Sequence, residues 1–147
     1  MNIDSIQNGV VIDHITAGNG MRLYSLLGLD SLDVSVAIIK NVVSRKMGKK
    51  DIIKIDADIP VDFQVIGYVD PGATLNIIRD GKLVSKQAVE MPDRLVDVIR
   101  CYNPRCITST EQELDHIFVL TDQEKGTYRC KYCETEWDRA DRDSRKR

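Results

Sequence analysis

A chain of 147 residues, 42% hydrophobic and 30% charged, is too apolar to stay unfolded and has room for one compact domain or two small ones. Its net charge of −2 lacks the basic excess that a general nucleic-acid binder carries. No apolar core follows basic residues at the N-terminus, and the longest apolar stretch, VSVAIIKNVV, is broken by Lys40 and Asn41 and too short to cross a bilayer.

In chain order, GVVIDHI reads as a strand. NGMRLYSLLGL follows as an amphipathic helix: Met21, Tyr24 and Leu27 fall at i, i+3 and i+6, Leu23 and Leu26 broaden the stripe, and Gly28 stops it. DVSVAIIK and DIIKIDA are β-branched runs, hence two more strands. Between them Lys40 to Lys50 carries five basic residues and no acidic one, the composition of a solvated loop. VDFQVIGYV is a helix opened by Pro60 and closed before Pro71. In ATLNIIRDGKLVSKQ, Asp80-Gly81 between two apolar-rich arms signals a hairpin. The order β-α-β-β-α-β plus one strand matches a ferredoxin-like α/β sandwich. Its expected core holds Val11, Leu23, Leu27, Ile38, Ile53, Ile55, Val65 and Ile77.

Pro92, in EMPDR, is the natural hinge, so one domain is expected at 1–92 and a second at 93–147. Short strands around VDVIRC, HIFVLT and GTYRCKYC make the second domain small and all-β, and the whole chain α+β. The tail DRADRDSRKR, 138–147, is charged without apolar periodicity and is expected to fray.

All four cysteines lie in that second domain, as C-x4-C, a gap of 23 residues, and C-x2-C. Disulfides, a redox C-x-x-C and unrelated buried thiols compete with a metal site. In the cytoplasm, where the chain is expected to work, disulfides are rare. A redox pair would sit between a strand and a helix of a thioredoxin-like unit, a context absent here. Zinc takes four thiolates in a tetrahedron, and two short-spaced pairs each supply one edge. We therefore expect one structural zinc on Cys101, Cys106, Cys130 and Cys133, with no open position for a substrate. His116, in DHIFVL, is expected to be an ordinary strand residue. The large apolar residues here are few, chiefly Ile99, Ile107, Phe118, Val119, Leu120 and Trp137. So small a core needs a staple.

No phosphate-binding glycine loop, dinucleotide fingerprint or zinc-protease motif occurs, and only two histidines are present. The chain does not read as an enzyme. Spacing alone leaves Lys54 and Lys86 on solvated strand faces and Asp13-His14 at a turn, although a lysine there could also meet a phosphate.

GVVIDHI, MGKKDIIKI, ATLNII, the proline-bearing hinge and the C-x4-C…CKYCE segment together resemble the aspartate carbamoyltransferase regulatory chain, in order and over nearly the whole length. The resemblance implies a non-catalytic allosteric subunit. Its N-terminal domain would bind nucleoside triphosphate effectors (CTP, ATP) and form a homodimer, and its zinc domain would dock on the catalytic chain. Regulatory dimers would bridge catalytic trimers in pyrimidine biosynthesis.

By position, the implied nucleotide site comprises Ile6, Val11, Asp13, His14, Lys50, Lys54, Asn76, Ile78, Leu83 and Lys86. Val11, Ile78 and Leu83 would flank base and ribose, Asp13 would take ribose hydroxyls, and Lys54 and Lys86 would face phosphates. His14 and Lys50 would lie near the triphosphate end or a second nucleotide. Asn103, Arg105 and Glu134 flank the metal ligands and are the interface candidates, unless they only support the zinc loops. The family's hairpin often carries an aromatic near the nucleotide, where this chain has Gly81. An ideal two-residue Asp80-Gly81 turn would also set Lys86 opposite Leu75, on the face away from Asn76. The reading from a different class is a zinc-ribbon nucleic-acid module, favoured by the Lys40–Lys50 run and disfavoured by scarce aromatics.

Overall fold

In the computed structural model, which describes residues 6–137, the chain divides into two compact units between Glu90 and Met91. The larger unit carries five strands: β1 (Gly9–Thr16), β2 (Val36–Ser44), β3 (Gly48–Ile55), β4 (Thr74–Arg79) and β5 (Lys82–Ala88). Two short helices, α1 (Gly20–Leu26) and α2 (Phe63–Val69), complete it. All neighbouring strands are antiparallel, in the order β2-β3-β1-β4-β5. This is the ferredoxin-like arrangement, with β5 added as an edge by a hairpin.

Alternation along the strands decides which face is covered. Val10, Ile12, Ile53, Ile55 and Leu75 are at most 2% exposed. The same core takes in Leu23 from α1 and Val65, Ile66 and Tyr68 from α2. Four of the expected core residues lie elsewhere. Val11 falls between Val10 and Ile12, so it faces away from them. Ile38 on edge strand β2, Leu27 at the end of α1 and Ile77 beside the hairpin are only half-buried. Helix α1 has the expected extent, with Leu27 as its C-cap and Gly28 at φ 71° just beyond, but most of the expected stripe is not buried. Its buried face is limited to Gly20 and Leu23, leaving Met21 49% exposed.

The basic run is not a loop. β2 extends to Ser44 and β3 begins at Gly48, so these residues form the end of a hairpin. The β2 bulge within this hairpin is held by Asp51, whose side chain has no solvent exposure. One carboxylate oxygen accepts the backbone N–H groups of Gly18 and Gly20, each at 3.0 Å, and the other accepts that of Asn41 at 3.0 Å. Asn41 lies in a bulge of β2 at φ 58°, and His14 lies in a bulge of β1 at φ 57°. Asp51 sits in the central register between these bulges. Burial works to raise its carboxyl, but the Asn41, Gly20 and Gly18 N–H groups outweigh it and hold the pKa below the ordinary aspartate value.

The smaller unit has a three-stranded sheet in the order β6-β7-β8. Its strands are β6 (Arg94–Val96), β7 (Ile117–Asp122) and β8 (Thr127–Cys130), joined by a single helical turn, α3 (Ile107–Thr110). The strand expected around VDVIRC is shorter and earlier, because the chain bends after Val96 toward the first cysteine. Leu95, Val98, Ile99, Phe118, Tyr128 and Trp137 are buried. The Trp137 ring meets Phe118 edge-on, with centroids 5.7 Å apart. Ile107, counted among the apolar residues of this unit, is 48% exposed. The charged tail, 138–147, lies outside the described residues.

Asp51→Ala should destabilise the larger unit by about 2–4 kcal/mol, since three backbone N–H donors, that of Gly20 fully buried, lose their acceptor. Urea unfolding at neutral pH measures this. The wild-type contribution is complete above the unfolded aspartate pKa of about 3.9 and drains as pH falls through the lower folded value. The variant should therefore lose less stability on acidification than the wild type.

Candidate functional site

Strand register carries the polar residues of the larger unit into one row. Lys54 pairs with Val11, Val11 with Asn76, and Asn76 with Lys86. Directly paired residues project to the same side of a sheet. These four therefore stand abreast across β3, β1, β4 and β5, on the face opposite the buried core. The hairpin achieves this with a bulge. Ile78 pairs with Leu83 but Ile77 pairs with Ser85, so Val84 is the extra residue and Lys86 moves opposite Asn76 instead of Leu75.

Two residues along the strands, about 7 Å toward the hairpin, Gly9, Ile78 and Leu83 form a second row. A Cβ on Gly9 would come within 2.1 Å of the Ile55 carbonyl oxygen and 2.8 Å of Ile6 Cγ2, so only glycine fits. Ile6, 5% exposed, closes the face at this apolar end.

The opposite end is polar. The β1 bulge inserts one residue, so Ile15 regains the core while Asp13 and His14 both turn outward. Lys50 Nζ lies 3.0 Å from Asp13 Oδ1 and 3.3 Å from Oδ2. The His14 backbone N–H donates to Asp13 at 2.6 Å, and His14 Nδ1 lies 3.1 Å from Thr74 Oγ1. Burial works to raise the Asp13 carboxyl, but Lys50 and the His14 N–H outweigh it and hold the pKa low. At the centre of the face, Asn76 Oδ1 is buried and accepts no hydrogen bond among the described residues. Such an orphan acceptor is costly unless a ligand or water supplies a donor. The face thus gathers all ten residues that the resemblance singled out.

The smaller unit brings its four thiols together. The Sγ atoms of Cys101, Cys106, Cys130 and Cys133 lie within 4.8 Å of one another. Cys101 and Cys133 are 3.6 Å apart, and Cys106 and Cys130 are 3.7 Å apart. A disulfide needs about 2.05 Å. A tetrahedron with Zn–S bonds of about 2.3 Å has edges of about 3.8 Å. The donor set therefore fits one structural zinc held by four thiolates. On their own, burial pushes the Cys101 and Cys130 thiols up. Cys133 resists burial through hydrogen bonds from the Thr135 side chain and backbone, which hold it at about 6. A bound dication deprotonates all four.

Three supporting residues were missed in the sequence. His116 precedes β7 and uses Nδ1 to accept the Cys101 N–H at 3.2 Å. Burial lowers its pKa, as does Arg100, so the ring is held in its neutral, accepting form. Thr108 and Thr135 place Oγ1 3.1 Å from the sulfurs of Cys106 and Cys133. Each follows the second cysteine of its pair by two residues, so a repeated Cys-x-Thr was the available signal. Of the interface candidates, Asn103 donates to Thr135 Oγ1 and accepts the Arg105 N–H, tying the two metal loops together. Arg105 and Glu134 are exposed.

Comparison with known proteins matches both units. Residues 1–90 match the family model described as the aspartate carbamoyltransferase regulatory chain, allosteric domain. Residues 93–143 match its metal binding domain. The aspartate carbamoyltransferase regulatory chain of Clostridium tetani is 51% identical over 91% of this chain and 94% of its own length. That of Clostridium botulinum is 47% identical over 91% and 92%, and that of Bifidobacterium longum 41% identical over 92% and 98%.

Trp137, the single tryptophan, reports on the metal-bearing unit alone. Cys130→Ser should bind less than one zinc per chain by elemental analysis and shift tryptophan emission to the red. Structural zinc contributes roughly 10 kcal/mol or more to folding, beyond what so small a core replaces.

Proposed function

The chain belongs to the aspartate carbamoyltransferase regulatory-chain family, and on that premise we propose how its two units work. The larger unit binds a nucleoside triphosphate effector such as CTP or ATP on its open sheet face and pairs with a second copy of itself. The zinc unit docks on the catalytic chain, so that regulatory dimers bridge catalytic trimers in cytoplasmic pyrimidine biosynthesis. The chain performs no chemistry of its own.

The observation that carries this reading is Asn76 Oδ1, buried without a donor in the same row as Lys54, Val11 and Lys86. A nucleotide meets each part of that face by its own chemistry. Ile6, Ile78 and Leu83 give an apolar bed for the base. Lys54 and Lys86 supply point charges for phosphates two residues along the strands. The Asp13–Lys50 pair, with both carboxylate oxygens engaged, holds a further ammonium at the polar end. In this role Asp13 orients Lys50 as well as offering an acceptor to a ribose hydroxyl.

Homodimer pairing is supported by β2, an edge strand whose Val43 is 83% exposed. Docking is supported by Tyr102, Tyr132 and Ile107, each 40–48% exposed and each adjacent in sequence to a metal ligand. Aromatic residues and arginine, here Arg105, are enriched at interface centres. Regulation then amounts to a coupling free energy between nucleotide and substrate sites, typically about 1–3 kcal/mol and reciprocal for binding.

Lys54→Ala should weaken triphosphate binding about tenfold while changing nucleoside binding little, because the lost partner is phosphate charge. Calorimetric titration with both ligands checks this, and equal losses would sink the assignment. Stripping zinc with a mercurial should release the chain from the catalytic trimer yet leave nucleotide binding in place, read by size separation followed by titration.

A further inference from the structure

Gln7 lies outside the strands and takes no part in the face described above. It directly follows Ile6, which closes the apolar end. The β4–β5 turn holds this segment at two points. Gly81 N donates to the Gln7 carbonyl at 2.9 Å, and Asp80 N donates to Asn8 Oδ1 at 3.2 Å. Its position is therefore set by hydrogen bonds to the turn, one to its own backbone and one to the Asn8 side chain.

The Gln7 carboxamide spreads over the turn. Its Oε1, Nε2 and Cδ lie 3.4, 3.6 and 3.8 Å from the place a Gly81 Cβ would occupy. Gly81, at φ 75°, carries no side chain to cover it. The residue is exposed, and the amide makes no hydrogen bond among the described residues. On the strands that lead into this turn, Ile78 and Leu83 form the last outward-facing pair. The lysine row lies about 7 Å further along the strands, a separation that a ribose spans. A base lying on Ile78 and Leu83 with its phosphates at Lys54 and Lys86 presents its far edge toward the turn.

We infer that Gln7 reads the hydrogen-bonding edge of the base, an inference that rests on the nucleotide reading above. A carboxamide offers a donor beside an acceptor. That pair complements the adjacent amino group and ring nitrogen of adenine or cytosine. A carboxylate in the same place accepts only. It suits guanine, which presents two adjacent donors, and it repels the ring nitrogen of the other two bases.

The test is calorimetric titration of the full-length, zinc-loaded chain with ATP, CTP, GTP and inorganic tripolyphosphate. Gln7→Ala should bind ATP and CTP about tenfold more weakly and tripolyphosphate as the wild type does. Gln7→Glu should raise the GTP-to-ATP affinity ratio about tenfold or more. The inference is overturned by unchanged nucleotide affinities in Gln7→Ala, by an equal loss for tripolyphosphate, or by an unchanged base preference in Gln7→Glu. A wild-type chain that binds none of the nucleotides would instead remove the nucleotide reading beneath it.

Discussion

Asp51 is a carboxylate without solvent, and backbone N–H groups from two separate segments take the place of its hydration. Gly18 and Gly20 open α1, while Asn41 sits in the β2 bulge, so a single side chain ties the first helix to an edge strand across β3. On the other side of Asp51, β1 carries its own bulge at Asp13 and His14. Thr16, at the end of β1, donates from both its backbone and its hydroxyl to Asp70, which is also buried. With strand pairing before the bulge and these anchors after it, β1 can turn Asp13 and His14 outward without losing Ile15 from the core. The charged end of the open face follows from that constraint. Lys50, the neighbour of Asp51 on the opposite face of β3, is left to pair with Asp13.

The larger and smaller units solve the stability problem differently. The first buries two helices against a five-stranded sheet and contains no cysteine. The second has three short strands, one helical turn and a core centred on Phe118, Tyr128 and Trp137. Its order depends on the four thiolates and on the hydroxyls, imidazole and amide that support them. This division suits the proposed roles, in which one part senses a small molecule and the other grips a protein. Each surface can then change without unfolding its neighbour.

How far the sequence could be read depended on the kind of interaction involved. The zinc ligands were legible because cysteine spacing by itself encodes the chemistry. The sheet order followed from apolar periodicity and the Asp-Gly turn. The face proposed for nucleotide was not legible from composition, because it depends on register. Lys86 reaches Asn76 only through the extra residue Val84, and Asp13 and His14 share a face only through the β1 bulge. Nothing in DIIKIDA marks Asp51 as different from an exposed strand-end aspartate, since its partners are backbone groups of Gly18, Gly20 and Asn41. The helix stripe was misplaced for a related reason: seven residues of α1 bury one side chain well, and periodicity does not say which. Here the resemblance to a family singled out residues that local pattern did not, and the register sets them on one face of the sheet.

The central claim is that nucleotide on the open sheet face is felt at a distant catalytic site through zinc-dependent docking. The most direct measurement is substrate saturation of the reconstituted complex, made from this chain and the catalytic chain of its source, with and without nucleoside triphosphates. The account predicts that at least one triphosphate shifts the half-saturating substrate concentration by about 5- to 150-fold, and that the isolated catalytic trimer does not respond. A fully assembled, zinc-loaded complex whose saturation curve no triphosphate moves would contradict it.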